Sequence, residues 1–358
     1  MSPLGQKLVR LIEAQGPIPI SQFMMLALHD PEQGVYAARN AIGREGDFIT
    51  APEISQMFGE LIGLWLLEVW RQQDKPGKIR LAELGPGRGT LMKDVLRAAR
   101  LDANFLAALD VMLIEASLAL QAVQKQALTD SPTTLRWSAK VEGAFGDMPL
   151  FLVANEFFDA LPIHQYVKTE SGWHERMVVF DNGKLDFALA PMAAQGLAIP
   201  ESRGDAETGA VFETSPASTA LAEEIAAHIA RHGGAAVLID YGHTGTGFGE
   251  TLQAMARHRH APILESPGTA DLSAHVDFAA LAQAVERGGA KAFGPVAQGD
   301  FLRALSIEHR AEQLAKKNPA HSKSIQSALQ RLTAPDEMGN LFKVLAIMPP
   351  TAPAPPGF

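Results

Sequence analysis

The stretch Lys78-Ile-Arg-Leu-Ala-Glu83-Leu-Gly85-Pro-Gly87-Arg-Gly89-Thr90 decides the fold. It reads as a short buried strand over 79–83 ending in an acid, then a glycine-rich turn, then a helix over 90–100. Glycine has no Cβ and tolerates positive φ, so such a turn lets a ligand approach the main chain closely. The helix behind it offers free N–H groups and the positive end of its dipole, which suit a carboxylate or a phosphate. The spacing of Gly85, Gly87 and Gly89 is G-x-G-x-G, whereas a dinucleotide-binding turn has G-x-G-x-x-G. For the turn alone, a tight structural loop is the alternative.

A second acid, downstream of the turn, makes a nucleoside site the better reading. Asp110-Val-Met-Leu-Ile-Glu115-Ala-Ser117 is an apolar strand over 110–115 that ends in a carboxylate, with Ser117 as the N-cap of a helix over 117–128. An acid at the end of a second strand can accept hydrogen bonds from both ribose hydroxyls of a nucleoside. With Glu83 on its strand, the turn resembles motif I of the class I S-adenosylmethionine (SAM) methyltransferases. That resemblance implies that SAM is the cofactor. It also implies that Asp147 and Met148, in Gly143-Ala-Phe-Gly146-Asp147-Met148-Pro149, meet the adenine amine and ring, although Gly, Asp and Pro there also make ordinary turn chemistry.

From residue 78 strands and helices alternate: strands 79–83, 110–115, 135–137 and 150–154 are interleaved with helices 90–100 and 117–128. Alternation of this kind predicts a parallel sheet with helices on both faces. After Asn155 the pattern changes to short strands over 163–168, 173–180 and 185–190, with Asp181-Asn-Gly183 as a hairpin turn. Residues 195–212 read as a surface loop. The alternation resumes with helix 217–231, strand 235–240, helix 277–287, strand 290–295, a helical stretch over 299–333 and a strand over 340–348. The expected fold is therefore α/β, a Rossmann-like class I methyltransferase sheet with an N-terminal helical addition and an internal β-rich insertion. The expected division is a helical and lid region over 1–75, packed on a core domain over 76–348. The insertion falls at about 160–215, and residues 349–358 form a disordered proline-rich tail. Within the lid, Thr50 and Glu53 have the spacing of a capping box ahead of a helix over 53–72. Asp47, Thr50 and Glu53 are expected to line the site.

The chain has 358 residues and a formal net charge of −9. No Lys/Arg cluster stands out, which argues against a nucleic-acid partner. With no cysteine, disulfides, thiolate nucleophiles and cysteine-based zinc sites are excluded. The most apolar segment, Leu61-Ile-Gly-Leu-Trp65-Leu-Leu, is far shorter than a membrane span of roughly 20 residues. The N-terminal residues lack the pattern of a signal or transit peptide, so the expected location is the cytoplasm. The histidines do not have metal-site spacing, and no metal is expected.

At the carboxyl end of the fourth strand stands Ala154-Asn155-Glu156-Phe-Phe-Asp159-Ala-Leu-Pro162. Glu156 and Asp159 could hold a guanidinium in the paired manner that carboxylates favour, with Asn155 beside them; capping of the loop is the alternative. His275, between Ser273 and Asp277, is a further catalytic candidate. Several segments stand in order: Gly46-Asp47-Phe-Ile-Thr50-Ala-Pro52-Glu53, Phe58-Gly59-Glu60, the glycine turn, the Asn155 segment, Asp240-Tyr241-Gly242, Asp271-Leu-Ser-Ala-His275-Val-Asp277-Phe278 and Met338-Gly339-Asn340-Leu-Phe342-Lys343-Val-Leu. Together they resemble the MidA-like SAM-dependent methyltransferases, over about residues 4–348. That resemblance implies a protein substrate and, as in the mitochondrial members, symmetric dimethylation of an arginine on a core subunit of respiratory complex I. A methyltransferase for small molecules or other proteins, a non-catalytic SAM-binding assembly factor, and a homodimer stay open.

Overall fold

The structure, a computed structural model, describes residues 1–38, 50–203, 205–245, 247–256 and 259–358. The chain divides into two compact units. One comprises Met1–Phe48, Asp159–Ala220 and His243–Asp277, and the other Ile49–Phe158, Leu221–Gly242 and Phe278–Phe358.

The larger sheet belongs to the second unit. Its main strands are β1 (Ile79–Leu84), β2 (Leu109–Ile114), β3 (Leu135–Ser138), β4 (Leu150–Asn155), β5 (Gly234–His243), β6 (Lys291–Ala297) and β7 (Phe342–Met348). In space they run β3-β2-β1-β4-β5-β7-β6. Strands β1 to β5 are parallel to their neighbours among themselves, whereas β7 is antiparallel to both β5 and β6. This is the Rossmann-like arrangement read from the alternation. Every residue of β1 and of β4 is buried, as expected where helices cover both faces and no side is left for polar alternation. Strand order reverses between β1 and β4. The loops leaving the carboxyl ends of those two strands diverge and open a crevice, and in sheets of this kind ligands bind there.

The helices that matter for the site are α1 (Ala51–Ile54), α2 (Gln56–Gln72), α3 (Thr90–Ala99) and α4 (Leu118–Ala127). The single helix expected over 53–72 is broken at Ser55, which is extended (φ −160°, ψ 139°) and caps α2 through its hydroxyl, 3.2 Å from the Met57 nitrogen. The capping box is absent. The Thr50 side chain makes no cap bond: the Glu53 N–H donates to the Thr50 carbonyl at 3.0 Å, and the Glu53 carboxylate accepts from the Thr90 hydroxyl instead. Helix α2 packs closely on α3 through Gly59 and Gly63. A Cβ at Gly59 would stand 2.6 Å from the Asp94 Cβ, and one at Gly63 would stand 2.8 Å from the Ala98 Cβ. Next to Gly59, buried Glu60 forms an ion pair with Arg97 (3.2 Å) and accepts from Arg310 (2.8 Å). The Phe58-Gly59-Glu60 segment thus holds helices together.

The tail does not match the expectation of disorder. The Trp65 indole donates to the Pro356 carbonyl at 3.0 Å, and the Phe358 ring packs on Phe301 with centroids 5.5 Å apart. Prolines limit the freedom the unfolded segment has to lose, so a few apolar contacts suffice to order it.

In the first unit, helices Pro3–Gln15 and Ile20–His29 share one apolar core with the insertion and the strand Asp271–Ser273, through Leu4, Leu8, Phe23, Met24, Ile163, Val178 and Leu272. The strands His164–Thr169, Gly172–Asp181 and Lys184–Leu189 form where the sequence indicates. Asn182 and Gly183 both have positive φ (49° and 79°), as the hairpin turn requires. The expected 1–75 region is therefore divided: its first two helices pack with the insertion, while 51–72 belongs with the large sheet. The 195–212 segment is more than surface loop, since Arg203 is buried with its guanidinium 4.8 Å from the Phe212 ring.

Candidate functional site

The glycine turn bridges β1 and α3. Gly85, Gly87 and Gly89 have φ of 60°, 54° and 82°, and Gly89 is the left-handed cap from which α3 starts. At Gly85 a Cβ would be 2.8 Å from Cδ2 of Phe157. The turn is also tied to its neighbour strand by the Gly85 N–H, which donates to the Ile114 carbonyl at 3.1 Å. Just before it, Glu83 is 3 % exposed and its Oε2 has no partner among the described residues. Burial pushes its carboxyl up to about 8, with the nearby Glu115 adding to the rise and a hydrogen bond from the Met92 backbone opposing it.

Glu115 stands immediately beyond the carboxyl end of β2. Its Oε1 accepts from the Ser117 N–H at 2.8 Å and its Oε2 from Gln124 Nε2 at 3.2 Å. Burial raises this carboxyl as well, opposed by those hydrogen bonds. Ser117 caps α4 as the sequence indicates, accepting from the Leu120 nitrogen at 3.4 Å. Gln124 is the residue that sequence reasoning misses. Fully buried, it also donates to the Gly87 carbonyl at 2.9 Å and accepts from the Trp137 indole at 2.9 Å. One amide thereby sets the distance between the glycine turn and the acid. A polar residue nine positions after Glu115, on the apolar face of its helix, was the available signal.

On the other side of the crevice, β4 delivers Asn155 and then Glu156. Asn155 is 8 % exposed, and its Oδ1 has no partner among the described residues. Glu156 has a φ of 50°, a left-handed conformation that costs a non-glycine residue about 1–3 kcal/mol and persists only where the surroundings enforce it. Its Oε1 accepts from the Ala51 N–H at 2.9 Å and from Asn155 Nδ2 at 3.0 Å. The next two N–H groups, of Phe157 and Phe158, donate to Oδ2 of Asp240 at 3.1 and 2.9 Å. Asp240 Oδ1 accepts from the Tyr241 N–H at 3.0 Å.

Two expected members are elsewhere. Asp147 and Met148 lie in the turn that enters β4, where the Pro149 carbonyl accepts from the Arg80 N–H at the start of β1 and the Met148 carbonyl accepts from His228 near the helix end preceding β5. They therefore stand at the amino edge of the sheet, opposite Glu115 and Glu156, because the loop after β3 crosses the whole sheet before β4 begins. The reading of these two as adenine contacts is corrected accordingly; the loop leaving β3 from Ser138, whose carbonyl accepts from the Glu115 N–H at 2.9 Å, is on the carboxyl edge. Thr50 immediately precedes α1. Asp47 lies outside the described residues. Asp159 and His275 belong to the first unit. There the Asp159 carbonyl accepts from the Ala274 N–H at 3.0 Å, and the His275 N–H donates to the Thr251 hydroxyl at 2.9 Å. Burial lowers the His275 imidazole, helped by the neighbouring His243 and opposed by Glu213.

The crevice between β1 and β4 thus combines a bare-backbone cradle, two buried side-chain oxygens without partners among the described residues, and the Glu115 carboxylate just beyond the end of β2. That set fits a nucleoside carrying a positively charged amino-acid arm. Comparison with known proteins points the same way. Residues 61–296 match a family model described as S-adenosyl-L-methionine-dependent methyltransferase. The chain is 36% identical over 375 residues to the mitochondrial protein arginine methyltransferase NDUFAF7 of Bos taurus, covering 98% of this chain and 84% of that protein. It is 37% identical over 385 residues to the mitochondrial NDUFAF7 homolog of Drosophila melanogaster, covering 97% and 85%. Among solved structures it resembles a COG1565 superfamily member from Burkholderia thailandensis bound to S-adenosyl-homocysteine, at a TM-score of 0.87 and 29% identity, over 99% of this chain and 93% of that one. The curated relatives are named mitochondrial, and this overturns the expectation of a cytoplasmic protein. Among the described residues no helix is long and apolar enough to cross a membrane.

Proposed function

Since the chain belongs to the S-adenosyl-L-methionine-dependent methyltransferase family, we propose that its methyl acceptor is an arginine of a protein substrate. The cofactor, when bound, supplies an electrophilic methyl on a sulfonium. In this reading Gly85, Gly87 and Gly89 admit it, Glu115 takes the ribose hydroxyls, and Glu83 faces the amino-acid arm. Glu156, at the end of β4, is the observation that carries the acceptor assignment. A guanidinium has a pKa above about 12 and is a poor nucleophile while its charge is spread over three nitrogens. A carboxylate fixed by Ala51 and Asn155 draws that charge to one side and leaves the opposite nitrogen better able to attack. Asp159 is proposed as the second carboxylate, while His275 and Asp47 are further candidates from the sequence. The relatives named protein arginine methyltransferases support the acceptor class. The MidA-like resemblance supports a respiratory complex I subunit and symmetric dimethylation. Mass spectrometry of arginine methylation in complex I subunits, with and without the gene, tests both. An unchanged pattern removes that substrate.

Glu83 makes a pH prediction. Because its carboxyl titrates near 8 rather than at the ordinary 4.5, the folded protein holds a proton there at neutral pH that the unfolded chain does not. Its contribution to stability therefore declines as pH rises from about 4.5 to about 8. Pairing with the positively charged arm of the cofactor favours the ionised form. SAM binding at pH 7 is expected to release close to one proton, with affinity rising up to about pH 8 and then levelling. Calorimetry in buffers of different ionisation heat measures this. A proton count near zero, or one that Glu83→Gln leaves intact, takes Glu83 out of the cofactor site.

A further inference from the structure

We propose that Asp240 is a positioning residue for methyl transfer, whose buried carboxylate holds Glu156 in its left-handed conformation. The proposal rests on Glu156 being the carboxylate that faces the acceptor guanidinium. Asp240 is 1 % exposed, and a carboxylate so deeply buried is tolerated only when its oxygens are hydrogen-bonded. Its partners include three backbone N–H groups, of Phe157 and Phe158 on Oδ2 and of Tyr241 on Oδ1. The first two belong to the residues directly after Glu156. The Glu156 N–H is itself fixed to the Ile239 carbonyl of β5 at 2.9 Å, so the chain is pinned to β5 both before and after the strained residue. Between those pins the backbone must reverse, and Glu156 takes φ of 50°. Its carboxylate is thereby set against the Ala51 N–H and Asn155 Nδ2. Released from Asp240, the turn would relax to an ordinary conformation, since left-handed geometry is unfavourable for a glutamate, and the carboxylate would swing away.

The chemistry requires aspartate specifically. Two N–H groups converge on one oxygen while a third occupies the other, so an amide of equal size must either point its own N–H₂ at a donor or surrender a bond. Asp240→Asn is therefore expected to lower kcat by roughly tenfold or more, with KM for SAM and its Kd within about twofold. The deciding measurement is a double-mutant cycle with Glu156→Gln. If Asp240 acts through Glu156, the double variant is no slower than Glu156→Gln alone. Multiplying losses mean that Asp240 acts apart from Glu156 and overturn the proposal. A Glu156→Gln enzyme with normal turnover sinks the reading of Glu156 itself, and the proposal with it. Amide exchange in the unmodified protein gives a check that needs no variant to fold. The Phe157 and Phe158 amides are expected to exchange at least about 10²-fold more slowly than unstructured amides. Exchange at unprotected rates would show that the pins do not exist.

Discussion

Replacing Gly85 by valine is expected to abolish SAM binding while the protein still folds. The residue sits at φ 60°, and even a bare Cβ would come within 2.8 Å of the Phe157 ring. Left-handed backbone costs an L-residue about 1–2 kcal/mol, and valine adds two methyl groups to a Cβ that already has no room. Phe157 must move, and the valine then covers the backbone that the cofactor would approach. The tie to the neighbouring strand is kept, because the Gly85 N–H bond to Ile114 does not involve a side chain. Titration calorimetry with SAM, alongside a thermal melt, separates the two effects. Binding at parental affinity would place the cofactor elsewhere.

The second large effect is on turnover. Glu156→Gln is expected to reduce kcat by about 10²-fold or more, in the range for loss of a positioned group that handles charge and protons. SAM affinity is expected to hold. The amide oxygen can keep the bonds from Ala51 and Asn155, now made by Oε1, so the side chain stays in place. The negative charge is lost. That makes the variant a clean test of charge localisation on a guanidinium: the electrostatic pull disappears while shape and cofactor site remain. Asp159→Asn tests the proposed second carboxylate in the same assay. Near-normal methylation by both variants would remove the carboxylates from the mechanism. The acceptor would then be better sought among neutral nitrogen or oxygen nucleophiles.

The corrections share a physical cause. Asp147 and Met148 have a residue pattern suited to an adenine contact, yet which edge of the sheet a loop faces depends on where the chain crosses it, and no local pattern records that. The tail shows the same limit. Its composition is that of a disordered terminus, while its order comes from Trp65 and Phe301, both far away along the chain. The strands Gln253–Ala256 and Asp271–Ser273 are too short to show a period of two.

What the sequence by itself determined was everything set by neighbours along the chain. The buried β1 and β4, the glycines at φ-positive positions, the Ser117 cap, the Asn182-Gly183 turn and the alternation of strand and helix all obey steric and hydrogen-bonding rules that operate over a few residues. They were enough for the parallel sheet, the crevice and the acids Glu83, Glu115 and Glu156. Tertiary structure decided the rest: which helices pair with which unit, the Gln124 amide that joins the glycine turn to Glu115, and the Asp240 carboxylate beside Glu156. Those are bonds between groups up to 83 positions apart. Such a bond exists only once the sheet has brought two distant strand ends together, so its partners leave no pattern that a reading along the chain could detect.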